Sequence, residues 1–231
     1  MVNQEKVGAV IVAAGESSRM AGIDKIFALV NGVSVISRAV RNMTACSQIA
    51  VVVVVVAKKN FHLVSTMAEE EAWEKLRGIC PGGKRRQDSV ASGLQLLHDC
   101  QWVVIHDGAR PLMSPNLITR GLQVAKSNGS AIAALRPNDT VKLIGSDGRV
   151  QTTPGRALIW LAQTPQIFRK DILDQAHKNI SEDVTDDASM IEALGLPVQM
   201  FQGERQNVKI TTPEDLQIAE AFLRRHAETP K

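Results

Sequence analysis

Short, continuous apolar runs recur along the chain, and stretches with helical spacing separate them. The runs at 7–12, 49–57, 102–106 and 131–135 predict strands. The run at 49–57 contains six consecutive valines, Val51 to Val56, and its β-branched content predicts a central strand buried on both faces. Helices are expected at about 33–44 and 61–76, and from Gln87 onward, where Val90, Leu94 and Leu97 fall on one face. Ser114 followed by Pro115 reads as an N-cap with proline at the first helical position, opening a helix to about Lys126. Further along, the pattern predicts a strand at 157–162, a helix from near Arg169, a helix at 186–194 and a last strand at 208–211. Thr212-Pro213-Glu214-Asp215 then opens a C-terminal helix to about His226. Alternating strands and helices imply an α/β fold with a largely parallel sheet, whose ligands sit at the carboxyl ends of the strands.

Segment 137–157 breaks that rhythm. Apolar and polar residues alternate there around Gly145-Ser146-Asp147-Gly148, a hairpin-turn signal, and no helix follows to cover the strands. Such a hairpin is either a lid on its own domain or an arm docked on a second subunit, and the lack of a local partner favours the arm. No repeat, linker or second domain is evident, so the 231 residues read as one domain.

Composition narrows the function more than the fold. A net charge of +3 and eight aromatic residues, none of them tyrosine, argue against nucleic-acid binding. Three widely spaced cysteines, Cys46, Cys80 and Cys100, form neither a disulfide framework nor a zinc pattern and suit a reducing cytoplasm. The longest apolar run is too short to span a membrane, and no signal peptide precedes the first strand.

Candidate chemistry clusters just after the strands. Behind the first lies a loop of small residues, Ala13-Ala14-Gly15-Glu16-Ser17-Ser18, with Arg19 and Lys25 beyond it. Small residues let backbone N–H groups approach an anion, and the two cations can neutralise phosphate charge. The loop lacks the three glycines of a dinucleotide fold, and the strand ending Val56-Ala57-Lys58-Lys59 lacks the ribose-binding acid, which disfavours a nicotinamide oxidoreductase. Pro81-Gly82-Gly83, with Ser89 in the next helix, is either a flat-ligand platform or a glycine turn and cap. In His106-Asp107-Gly108-Ala109-Arg110-Pro111, Asp107 is a natural Mg²⁺ ligand beside a polyphosphate, and His106 reads as a core or orienting histidine. Cations at Arg19, Lys25, Arg110, Arg156 and Lys209 could balance two phosphorylated substrates, as phosphoryl-type transfer requires.

In order and spacing, AAGESSRM…DK, GGKRRQDSV, VIHDGARP, NDTVK, LAQTPQIF, VTDDAS and NVKITTPEDL resemble the 2-C-methyl-D-erythritol 4-phosphate cytidylyltransferases, over roughly residues 7–223. The resemblance implies a single Rossmann-like nucleotidyltransferase domain with a β-arm at about 137–157. It implies transfer of CMP from CTP to the sugar-alcohol phosphate with Mg²⁺, in a homodimer interlocked through the arm. Arg19 and Lys25 match the catalytic cations. Ala13, Ala14, Gly83 and Ser89 match the cytidine site, with Gly15 in the same loop. Asp107 matches the acid near the metal and the sugar-alcohol phosphate. Arg110, Thr140, Arg156, Thr164, Thr185 and Lys209 match the methylerythritol phosphate site, Thr140 and Arg156 through the partner's arm. Gln206-Asn207 stands where Asp-Asn is common, which leaves Asp107 as the better metal ligand. D-Ribitol-5-phosphate cytidylyltransferase shares these features and differs in the second-substrate pocket. A non-catalytic nucleotide-binding module would tolerate loss of Lys25 or Asp107, and both are present.

Overall fold

The computed structural model describes residues 5–15, 20 and 24–228. β1 (Val7–Ala13) is followed by a small hairpin, β2 (Leu29–Val30) and β3 (Val33–Ser34), and by α1 (Val35–Thr44). β4 (Ile49–Val56), α2 (Phe61–Glu70), β5 (Leu76–Pro81) and α3 (Arg86–Gln95) complete the first half. β6 (Trp102–Asp107), α4 (Pro115–Asn128) and β7 (Ser130–Leu135) then lead to the hairpin of β8 (Leu143–Ile144) and β9 (Val150–Thr152). The chain closes with β10 (Leu161–Arg169), α5 (Lys170–Asn179), α6 (Asp187–Ala193), β11 (Gln199–Gln202) and α7 (Pro213–Glu228).

Among the described residues, seven strands form the main sheet in the order β11-β7-β10-β6-β1-β4-β5. All neighbours run parallel except β10, which is antiparallel to both β6 and β7. The valine run behaves as its composition demands. Val52, Val54 and Val56 enter one core with Ile36, Val40 and Leu117, while Val51, Val53 and Val55 enter the opposite core with Val90, Leu94 and Phe168. A third cluster, built on Val30, Leu112 and Ile210, lies beneath α7.

Three expected elements differ. The second helix ends at Glu70, and Leu76 begins strand β5 instead. Ala72 and Lys75 turn the chain there with φ of 48° and 57°, a left-handed conformation that non-glycine residues do not announce. The strand expected at 157–162 lies at Leu161–Arg169, after a short 3₁₀ turn at Arg156–Leu158, so Thr164-Pro165-Gln166 sits inside a strand rather than beyond one. A register shift between Ala162 and Gln166 accommodates Pro165, which supplies no N–H to the ladder. Segment 208–211 is not a strand. It crosses the loop after β6, where Ile210 N–H donates to the Ala109 carbonyl at 2.8 Å, and the last strand is Gln199–Gln202.

The expected hairpin is present, and Leu143, Ile144 and Val150 are each at least half exposed on it. Within one chain it is not packed down as a lid. At its base, the Arg136 guanidinium stacks over the Trp160 ring at 5.0 Å.

Candidate active site

The order of strands β4, β1 and β6 places the site. The three strands are parallel, but the chain passes from β1 to β4 on one side and returns to β6 on the other, so the strand order reverses at β1, the point where such sheets open a crevice. Asp107 pairs with Val12 in the parallel ladder, and Gly108 N–H donates to the Val12 carbonyl at 2.8 Å. On the other flank, Gly82 N–H donates to the Val56 carbonyl at 2.8 Å, which draws the loop after β5 to the same edge.

Two cavities open at that edge. The larger, of about 450 Å³, is lined by Ala13, Ala14, Gly15, Lys25, Gly83 and Ser89. The smaller, of about 220 Å³, is lined by Arg110, Gln163, Thr164, Gln166, Thr185 and Asp186. Three residues border both: Arg86, Asp107 and Lys209. The residues expected to hold a nucleotide thus share one cavity, and Arg110, Thr164 and Thr185 share the other. Arg19 lies outside the described residues. Thr140 and Arg156 are exposed on or beside the hairpin and line neither cavity.

In the larger cavity the backbone comes close because side chains are absent. A Cβ on Gly82 would lie 2.3 Å from Ala14 Cβ and 2.7 Å from Ser89 Oγ. The Ser89 hydroxyl accepts from Gly83 N–H at 3.1 Å and donates to the Arg85 carbonyl at 3.2 Å, so it shapes the loop.

Asp107 sits at the junction among three cations. Lys209 Nζ is 2.9 Å and Arg110 Nε 3.6 Å from Oδ2, and Arg86 Nη2 is 3.6 Å from Oδ1. Burial alone would raise its pKa, but Lys209, Arg86 and Arg110 together hold it well below the usual carboxylate range. The Asp107 backbone is held separately. Its N–H donates to Thr164 Oγ1 at 3.0 Å, and Thr164 Oγ1 also lies 3.0 Å from His106 Nδ1. His106 Nε2 is 3.2 Å from the Arg110 carbonyl, which can only accept. The neutral ring therefore carries its proton on Nε2 and accepts the Thr164 O–H at Nδ1. Burial pushes the His106 pKa down to about 4, despite the nearby Asp107 charge, so the ring stays neutral. Of the two roles expected for it, core or orienting, His106 combines both: it is fully buried and its ring holds the Thr164 hydroxyl. The Thr164 hydroxyl is already engaged in fixing Asp107.

The segment after β11 delivers Lys209. Arg110 Nη1 donates to the Asn207 carbonyl at 2.7 Å, Asn207 Nδ2 donates to the Thr164 carbonyl at 2.7 Å, and Ile210 is fully buried. Asn207, which stands beside the position of the missing acid, thus serves as a structural clamp.

Sequence reasoning missed Arg86, the last residue of Lys84-Arg85-Arg86. Nothing in that run of three cations singles it out, yet it reaches Asp187 Oδ2 at 2.5 Å, 101 residues away along the chain. Its signal was faint: an arginine at one helix start facing an acid at another.

A mostly parallel α/β sheet with two adjoining cavities at its carboxyl edge, sharing one cation-ringed carboxylate, is the arrangement a nucleotidyltransferase needs to bring two anionic ligands together. Residues 7–225 match the model of the 2-C-methyl-D-erythritol 4-phosphate cytidylyltransferase (IspD) family, and the chain belongs to that family. Its cytidylyltransferase activity serves the methylerythritol phosphate pathway of isoprenoid synthesis. The chain is 47% identical over 225 residues to the 2-C-methyl-D-erythritol 4-phosphate cytidylyltransferase of Dehalococcoides mccartyi strain CBDB1, covering 97% of this chain and 99% of that one. It is 44% identical to the enzyme of that name from Pelotomaculum thermopropionicum, covering 95% of each. The crystal structure of 4-diphosphocytidyl-2C-methyl-D-erythritol synthase from Anaerococcus prevotii superposes with a TM-score of 0.86 at 28% identity, covering 97% and 98% of the two chains. That of the Thermus thermophilus cytidylyltransferase gives 0.76 at 31% identity, covering 95% and 99%. Among the described residues no helix is long and apolar enough to cross a membrane.

Proposed function

We propose that the larger cavity takes CTP, the smaller takes 2-C-methyl-D-erythritol 4-phosphate, and the two react beside Asp107. A phosphate oxygen of the sugar alcohol attacks the α-phosphorus of CTP. The bond from that phosphorus to the bridging oxygen breaks, and pyrophosphate leaves with 4-diphosphocytidyl-2-C-methyl-D-erythritol as the other product. Lys25, with Arg19, stabilises the charge that builds on the α-phosphoryl oxygens. Ala13, Ala14, Gly15 and Gly83 hold the nucleotide largely through backbone groups, on a loop that Ser89 shapes. Arg110, Thr185 and Lys209 receive the second phosphate, and Thr164 sets Asp107. Thr140 and Arg156 act on a neighbouring chain in a homodimer joined through the exposed hairpin, since neither reaches a cavity of its own chain.

Mg²⁺ fits this site in one manner. The described residues offer no group of three or more His, Cys, Asp or Glu side chains for a metal, and Asp107 is the carboxylate that borders both cavities. A single carboxylate with substrate phosphates and water is the donor set Mg²⁺ takes beside polyphosphates. When bound, the ion neutralises phosphate charge during transfer.

The observation that carries this reading is that two cavities share Asp107, Lys209 and Arg86. Pyrophosphate release measured with both substrates varied tests it. Thr185→Ala is expected to raise KM for the sugar-alcohol phosphate about tenfold and leave KM for CTP within about threefold, and Ser89→Ala to do the reverse. If both variants raise the same KM, the assignment of the cavities is wrong.

A further inference from the structure

We infer that Arg86 is a positioning residue, anchored on Asp187, that fixes the Asp107 carboxylate and joins the two half-sites into one. The inference builds on the placement of the two substrates proposed above.

Arg86 opens α3 and Asp187 opens α6. Asp187 is completely buried and spends Oδ2 on Arg86 Nη1. Burial raises the Asp187 pKa, and the charges of Asp187 and Asp107 keep Arg86 firmly protonated in spite of its own burial. The other arm of the guanidinium, Nη2, is buried with no hydrogen-bond partner among the described residues, and it faces Asp107 Oδ1 at 3.6 Å. One planar fork therefore spans an anchoring acid and the acid at the junction, and that geometry suits arginine rather than lysine.

The neighbours of Arg86 tie the same two elements together. Arg85 Nη1 donates to the Ser181 carbonyl at 2.6 Å. Gln87 Nε2 donates to the Glu182 carbonyl at 3.0 Å, and Gln87 Oε1 accepts from Val184 N–H at 3.1 Å. The first turn of α3 thus grips the loop that carries Thr185 to the smaller cavity. Three residues later, Ser89 holds the glycine loop of the larger one. A shift of either loop is felt at Asp107 through Arg86.

The test compares kcat at saturation of both substrates with CTP affinity and melting temperature. Arg86→Lys keeps the charge and loses the fork. It is expected to fold, to lower kcat by about fivefold or more, and to keep the CTP dissociation constant within about threefold. Asp187→Asn should produce a similar loss. The double variant Arg86→Gln with Asp187→Asn leaves no lone buried charge, so it keeps the test readable if a single variant unfolds. Its kcat should be no lower than that of the worse single variant, within about threefold, because the two groups act as one device. A folded Arg86→Lys or double variant whose kcat falls by less than about fivefold overturns the inference. So does a double variant whose loss is the product of the single losses. Saturating kcat does not depend on which cavity holds which substrate, so this inference and the cavity assignment fail separately.

Discussion

Asp107 carries one negative charge among Lys209, Arg110 and Arg86, and its position rests on neutral groups behind it. His106 is the deepest of these, fully buried, and it serves by staying uncharged. Folded, it takes up its proton only near pH 4, whereas its ordinary value is 6.5. Between those values the unfolded chain binds the extra proton. Stability is therefore complete above the ordinary value and falls as pH drops towards the folded one, by up to about 3 kcal/mol. His177, also depressed by burial, adds a loss of the same sign, while Asp187, raised by burial, works against it. His106→Gln can still accept from Thr164 and donate to the Arg110 carbonyl, but it cannot titrate. Urea unfolding followed from about pH 7 down to about pH 4.5 should show a shallower loss for His106→Gln than for the parent chain. Equal slopes would mean that His106 is not held neutral by burial.

At the scale of elements, the fold was legible wherever burial shapes the sequence on both faces. The valines of β4 announced a central strand, and Ser114-Pro115 announced α4, where Ser114 Oγ accepts from Leu117 N–H at 3.1 Å. The loop after β1 and Asp107 at the end of β6 were also legible as candidates, because small residues or an acid directly after a buried strand suit close approach to an anion or a cation. Legibility failed where tertiary contacts overrode local signals. Pro165 reads as the end of a strand, but the register shift in β10 absorbs it. Val208 and Ile210 alternate like strand residues, but Ile210 is buried beneath α7 and the segment bonds across the β6 loop. β5 was hidden because Ala72 and Lys75 turn the chain without a glycine. Arg86 was hidden because its partners, Asp107 and Asp187, are distant in sequence. The loop after β5 offers its own test. Alanine at Gly82 would collide with Ala14 and Ser89, so the two walls of the larger cavity would have to separate. Gly82→Ala is expected to cost about 1–3 kcal/mol in stability and to raise KM for CTP about tenfold, with KM for the second substrate little changed. An unchanged KM for CTP would remove that loop from the nucleotide site.

At the scale of the whole molecule, one chain presents two adjoining cavities at the carboxyl edge of its sheet and, apart from them, an apolar hairpin that is not packed down on its own chain. Leu143, Ile144 and Val150 are exposed on it, as is Leu158 just beyond, the apolar exposure that the proposed pairing with a second chain would cover. Arg156 and Thr140 lie at the same end, away from the cavities that their chemistry would serve. Whether a single active site draws on two chains is tested most directly by mixing two variants. Lys25→Ala disables the nucleotide half of a site, and Arg156→Ala disables the half that each chain would lend to its neighbour. Each variant alone should be nearly inactive in pyrophosphate release. After verified subunit exchange, half of the dimers are mixed, and in each of these one site collects both defects while the other collects neither. Activity should then return to about a quarter of the parent level, as random pairing by mass action sets. If exchange is complete and no activity returns, Arg156 serves its own chain and the shared site is refuted.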